Sequence, residues 1–383
     1  MQDKSIYLDY ASTTPIDPLV MDSMKAYFSD KFYNPSAIYL KAKSVNQDIN
    51  VARSKIASLL GVKTAEIIFT AGATEANNLA ISGIMQMHPG ANMIISSIEH
   101  ESVLEPADLY LNQKVPVNRD GIVDLNKLNR LINEQTVLVS IMYANNEIGT
   151  IQPIKEIASI IKQLRQDRLK SGNKMPLYLH TDATQATNYL SMLINRLEVD
   201  LLSLNASKIY GPKQSGLLFV KTGTILKPLI LGGGQERNLR SGTENVASII
   251  GLSKALELAS TRKKTEAKRL SALQQFFIAE INSRIKGVSV NGSLKHRLPN
   301  NINITIDGAD NERLVMELDE RGIMCATGSA CSANSRKLSH TLQAIGLTDD
   351  QIHSSLRFSM GLNTTKQDII RTITILESLL PKS

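Results

Sequence analysis

Asp200-Leu201-Leu202-Ser203-Leu204-Asn205-Ala206-Ser207-Lys208 is the stretch on which the fold turns. Its first five residues are a short, mostly apolar run, too brief for a good helix. The turn Ile209-Tyr210-Gly211-Pro212-Lys213 follows. Such a run reads as a buried strand, and this one delivers a lysine just past its carboxyl end. Comparable runs stand at residues 66–69, 93–98, 137–142, 177–180 and 217–220. Helical patterns lie between them. Val45, Ile49, Ala52, Ile56 and Leu59 recur at helical spacing before Gly61, a fitting cap, and residues 154–169 read as another helix. Alternation of this kind predicts an α/β domain around a mostly parallel sheet.

The pattern changes after about residue 260. A helical run leads to short strands at residues 288–290 and 302–306, a helix at 311–321, and strands at 323–326 and 353–358. This predicts a smaller α+β domain. The expected division is a large domain over residues 14–258 and a small domain built from residues 1–13 and 259–383. No linker, internal repeat or low-complexity tract separates them.

A chain of 383 residues buries roughly three quarters of its unfolded surface, enough for a core without staples. The two cysteines, Cys325 and Cys331, exclude a disulfide framework and suit a reducing cytoplasm. No apolar stretch reaches the length of a membrane span. Residues 1–9 show no apolar leader pattern, so no secretory signal is expected. The formal net charge is +7, with basic clusters within residues 162–174 and 262–269. These read as solvated helix faces, so no direct nucleic-acid contact is expected. A positive surface suits an acidic protein partner.

Five segments carry chemistry. In Phe69-Thr70-Ala71-Gly72-Ala73-Thr74-Glu75, a strand runs through small residues into a helix. That is either an ordinary capping turn with Thr74 as N-cap or a phosphate site made of backbone amides. Asp182 ends an apolar strand, at the edge where open parallel sheets bind ligands. A carboxylate there can hold a protonated pyridine nitrogen, although aspartate also caps helices. Lys208 follows the next strand; an amine at a fixed, poorly solvated point can attach a carbonyl cofactor covalently. Cys331 sits among small polar residues, where a reactive thiol is accessible, whereas Cys325 lies in an apolar run and reads as core. Arg357 stands inside an apolar strand. It needs an anion, either an internal carboxylate or that of a substrate.

Taken in order, from Tyr7-Leu8-Asp9-Tyr10-Ala11-Ser12-Thr13-Thr14-Pro15 to Arg357-Phe358-Ser359, these segments resemble the cysteine desulfurases of pyridoxal-phosphate fold type I. Ser329-Ala330-Cys331-Ser332 is similar to that family's catalytic loop. The spacing to Ser339-His340 matches the longer-loop subgroup that serves iron–sulfur cluster assembly and tRNA thiolation. The resemblance implies pyridoxal 5'-phosphate as cofactor and L-cysteine as substrate. It makes Lys208 the covalent anchor, Asp182 the partner of the pyridine nitrogen and Gln185 the partner of the ring oxygen. His100 would stack on the ring and move protons. Ala73, Thr74, Asn205 and Ser207 would hold the phosphate. Asn146 would lie beside cofactor and substrate, and Arg357 would bind the substrate carboxylate. Thr243 would reach the phosphate of a neighbouring subunit, which implies a homodimer. Cys331 would accept the sulfur and pass it to an acceptor or cluster scaffold protein. No resident metal is implied, only Cys331 as a transient ligand of iron–sulfur cargo.

The chain departs from the family pattern in places. Asn205-Ala206-Ser207 replaces a common Ser-Gly-His, Tyr39 and Gln235 stand where histidines are frequent, and Leu338 replaces a proline. Rival activities on this scaffold are a selenocysteine lyase and an aminotransferase, which needs no nucleophilic cysteine. The non-enzymatic rival is a scaffold that docks sulfur-transfer proteins.

Overall fold

The computed structural model describes residues 5–328 and 338–380. Cys331 therefore lies outside the described residues. After β1 (Ile6–Tyr7), seven strands build the main sheet: β2 (Ile67–Thr70), β3 (Asn92–Ser96), β4 (Asn112–Val115), β5 (Thr136–Ser140), β6 (Tyr178–Asp182), β7 (Leu201–Asn205) and β8 (Gly216–Val220). Their spatial order is β2-β8-β7-β6-β5-β3-β4. Only β8 is antiparallel to its neighbours; the other pairings are parallel. The sheet is thus mostly parallel, as the alternation predicted. Helices cover both faces, which is why β5 and β8 are buried at every residue and read as continuous apolar runs.

Because β2 to β7 share one direction, their carboxyl ends open onto one rim. Thr70, Asp182 and Asn205 are the last residues of their strands, and the loops that follow carry the site.

The helix Val246–Arg284 has 39 residues, a rod of about 58 Å. Ala247, Leu252 and Leu256 pack into the core of the main sheet. Leu270, Phe277 and Ile281 pack into a second core with Ile6, Leu8, Ile304 and Phe358. That second core rests on β9 (Val288–Val290), β10 (Asn301–Ile306), β11 (Ile323–Met324) and β12 (Ser355–Ser359). The order β12-β10-β9 is antiparallel, and β1 pairs with β11 in parallel.

Three local expectations are corrected. The strand expected at 353–358 opens as the short helix Asp349–His353, and pairing begins at Ser355. The run at 323–326 yields two paired residues in β11, after which Ala326 bridges to Arg357. The basic stretch at 262–269 is not simply a solvated face. Arg262 Nη1 donates to Asp17 Oδ2 at 2.6 Å, and Arg269 donates to Glu266 and to the carbonyls of Gly361 and Thr364. Among the described residues no helix is long and apolar enough to cross a membrane.

Candidate active site

The loops on the common rim wall a cavity of about 190 Å³ that opens to solvent. Ala73, Thr74, His100, Asn146, Asp182, Gln185, Asn205, Lys208 and Arg357 all line it. They arrive from six different strands or the loops that follow them, so the fold assembles residues that are far apart in sequence.

The phosphate-type turn follows β2. Gly72 stands at φ 145°, backbone that glycine alone tolerates, and it is the N-cap of the helix Ala73–Met85. Thr74 is therefore not the cap, contrary to the ordinary reading of this turn. A glycine cap offers no side chain, so the first-turn amides are left for an anion. Gly216 on β8 makes this turn possible. A Cβ there would sit 2.7 Å from Gly72 Cα and 2.6 Å from the Leu204 carbonyl oxygen. Asn205 Nδ2 stands beside the turn, 4.0 Å from where a Cβ on Gly72 would lie. Ser207 is not on the cavity wall: its amide and hydroxyl both donate to Asn205 Oδ1.

Asp182 is buried and tightly held. Asn77 Nδ2 donates to Oδ2 at 2.7 Å and the Thr184 amide to Oδ1 at 2.9 Å. Asn77 also donates to Ser102 Oγ, and Ser102 donates its amide to His100 Nδ1 at 3.1 Å. A backbone amide can only donate, so Nδ1 carries the lone pair and a neutral ring carries its proton on Nε2. Burial lowers the His100 pKa, opposed by the charge of Asp182. Lys208 Nζ donates to the Ser12 carbonyl oxygen, and Gln185 Nε2 to the Ala11 carbonyl oxygen at 3.0 Å. The segment before Pro15 is thereby folded over the lysine.

Arg357 is almost fully buried. Nη2 donates to Asp9 Oδ1 at 2.7 Å and Ser12 Oγ at 2.8 Å, and Nη1 to the Asn146 carbonyl oxygen at 3.1 Å. Among the described residues its Nε has no hydrogen-bond partner. The arginine thus has an internal carboxylate partner and also faces the cavity. Cys325 is packed against the small core, and burial pushes its thiol up to about 12, so it is a poor nucleophile. Thr243 lies on an exposed loop and does not line the cavity.

Sequence reasoning missed Ser12, Asn77 and Ser102. Asn77 offered a faint signal, a polar residue on an otherwise apolar helix face. Ser12 had none, because its partners Lys208 and Arg357 lie far away along the chain, and Ser102 reads as an ordinary serine in the first turn of a short helix.

A carboxylate, a glycine-capped helix start and a lysine gathered in one cavity suit a phosphorylated, nitrogen-containing ring. Pyridoxal 5'-phosphate fits that donor set. The model of the family "Aminotransferase class-V" matches residues 6–371. The chain is 43% identical to the cysteine desulfurase IscS of Dictyoglomus turgidum, over 99% of this chain and 95% of that one. The X-ray structure of a NifS-like protein from Rickettsia africae superposes with a TM-score of 0.88 at 30% identity, covering 98% of this chain and 99% of that one. The structure of SspA in complex with cysteine superposes with a TM-score of 0.80 at 34% identity, over 93% and 99%. This chain belongs to the class-V aminotransferase family and, within it, to the cysteine desulfurases.

Proposed function

We propose that this enzyme uses pyridoxal 5'-phosphate to convert L-cysteine to L-alanine, leaving the sulfur as a persulfide on Cys331. The observation that carries the reading is one cavity that gathers Asp182, Lys208, His100 and Arg357 beside the glycine-capped helix start. When bound, the cofactor supplies an electron sink for bonds at the substrate Cα. Lys208 anchors it and moves the Cα proton. Asp182, fixed by Asn77, holds the ring nitrogen in its protonated form. Asn146 and Gln185 would bind the ring oxygen, and Asn205 with the amides of Ala73 and Thr74 would hold the phosphate. Arg357 orients the substrate carboxylate. His100, its Nδ1 engaged by the Ser102 amide, acts as a donor through Nε2. The Cys331 thiolate attacks the substrate sulfur: the Cβ–S bond breaks, an S–S bond forms, and the electron pair left on the substrate takes a proton to give alanine. Ser207 acts behind the cavity by bracing Asn205.

The enzyme works as a homodimer in which Thr243 reaches the neighbouring phosphate site. Support comes from exposed apolar residues: Phe28, Phe32, Ile38 and Leu40 on one segment, and Leu231 near Thr243 in sequence. The persulfide passes to an acceptor or scaffold protein for iron–sulfur assembly or tRNA thiolation in the cytoplasm, the compartment that suits a catalytic free thiol.

The test is an absorbance spectrum of the purified protein, followed by cysteine addition with alanine and sulfide both measured. Lys208→Ala should lose the cofactor band of the wild type. Cys331→Ser should stop alanine formation while keeping that band. Alanine formed at the parent rate by Cys331→Ser would sink the assignment. Faster turnover of selenocysteine than of cysteine would move the reading to a selenocysteine lyase.

A further inference from the structure

Three consecutive residues, Glu236, Arg237 and Asn238, hold φ angles of 44°, 60° and 64°. None is glycine, and L residues keep such left-handed backbone only where the surroundings impose it. The surroundings here are two ion pairs. The Glu236 carboxylate accepts Arg53 Nη1 at 2.8 Å and Nη2 at 2.7 Å, and its Oε2 also accepts the Phe69 amide at 2.9 Å. Arg240 Nε donates to Glu75 Oε1 at 2.9 Å, while Glu75 Oε2 accepts the Ala71 amide at 2.9 Å. Gln235 Oε1 accepts the Gly242 amide at 2.9 Å and closes the loop.

Both amides so engaged belong to one stretch. Phe69 lies in β2, the edge strand beside β8 among the described residues, and Ala71 lies in the turn that leads to Ala73 and Thr74. Arg53 Nη1 and Arg237 Nη1 also take the Ile67 carbonyl oxygen on that strand. The loop gives an acid at 236 and a base at 240; the scaffold answers with a base at 53 and an acid at 75. Glu75 matters most for charge. It sits in the first turn of the helix whose start faces the cavity, where an unneutralised carboxylate would repel a phosphate.

We propose that Glu236 and Arg240 are positioning residues for the phosphate end of the cofactor. Paired with Arg53 and Glu75, they clamp the strained loop onto the β2 edge, hold the turn at residues 70–74 in its anion-binding shape, and neutralise Glu75. This rests on the reading above that the phosphate binds at that turn.

The test compares pyridoxal 5'-phosphate with pyridoxal, which lacks the phosphate, on the apo form of the full chain. Arg240→Gln should raise the dissociation constant for pyridoxal 5'-phosphate roughly tenfold, while that for pyridoxal stays within about twofold. Adding Glu75→Gln to Arg240→Gln should restore tight binding, because the unneutralised charge is gone. Glu236→Gln should follow Arg240→Gln. Lys55→Gln, which removes an exposed pair with Glu257 on the same helix as Arg53, should bind both aldehydes like the wild type. Equal weakening of both aldehydes would mark the pairs as merely structural and overturn the proposal. So would wild-type binding of pyridoxal 5'-phosphate by Arg240→Gln. A wild-type protein that binds neither aldehyde would instead overturn the proposed function.

Discussion

Glu99 stands next to His100 and is completely buried. Ser96 Oγ and the Met142 amide donate to its Oε1, and Oε2 has no partner among the described residues. Burial pushes its carboxyl from 4.5 up to about 8, with the charge of Asp182 acting in the same direction. The folded form therefore holds this proton more tightly than the unfolded chain. Below pH 4.5 both states are protonated and Glu99 costs nothing. Between 4.5 and 8 the cost grows, and above 8 it is at its full value. Glu99→Gln removes this dependence. We expect the stability of the variant relative to wild type to rise from pH 5 to pH 9 by on the order of 4 kcal/mol. Urea unfolding across that range measures it, and a flat difference would refute the buried-acid account. Glu99 was invisible in the sequence as an acid of this kind, because nothing local says that it is buried. Lys208, Asp182 and Arg357 were legible because each is a charged residue in or just past an apolar run. The partners that orient them were not. Asn77 meets Asp182 across 105 positions and Asp9 meets Arg357 across 348, and residue type alone does not announce such contacts.

Among the elements, β5, β6, β7 and β8 could be read from short, largely apolar runs, the pattern of strands covered on both faces. β4 could not. It reads Asn-Gln-Lys-Val and lies at the sheet edge, paired only to β3, so backbone bonds rather than burial define it. The direction of β8 was equally hidden, because an apolar run has the same composition whichever way it points. That direction has a functional consequence: it sets Gly216 against Gly72, the cap of the phosphate-type turn. A methyl group at Gly216 must displace either the Leu204 carbonyl or Gly72 itself. Gly216→Ala should therefore destabilise the protein by roughly 1–3 kcal/mol and also weaken cofactor binding. Thermal melting with and without pyridoxal 5'-phosphate separates the two effects. If the stabilisation conferred by the cofactor matched that of the wild type, the close approach of β8 would have no part in shaping the turn.

For the whole molecule, the long helix makes one body of two cores. Arg262 and Arg269 bind across the seam where its apolar halves meet, so a basic cluster that reads as solvated serves as a tie. The outer surface poses the opposite problem. Ile38 is 88% exposed, Leu40 83% and Leu231 79%, and side chains of this size in contact with water favour a partner. A second copy of the chain is the partner that also gives the exposed Thr243 a role. The expected mass in sedimentation is therefore twice 42.1 kDa. Phe32→Asp combined with Leu231→Asp should leave the subunit fold intact, since both side chains already face solvent, yet shift the mass to that of one chain. If Thr243 completes the phosphate site of the neighbour, the separated chains should also bind pyridoxal 5'-phosphate less tightly. Linkage then requires the converse, that the cofactor tightens the dimer of the wild type. A double variant that stayed dimeric would show that these residues are not the interface. One that became monomeric and kept full cofactor affinity would show that each chain completes its own site without Thr243 of a neighbour.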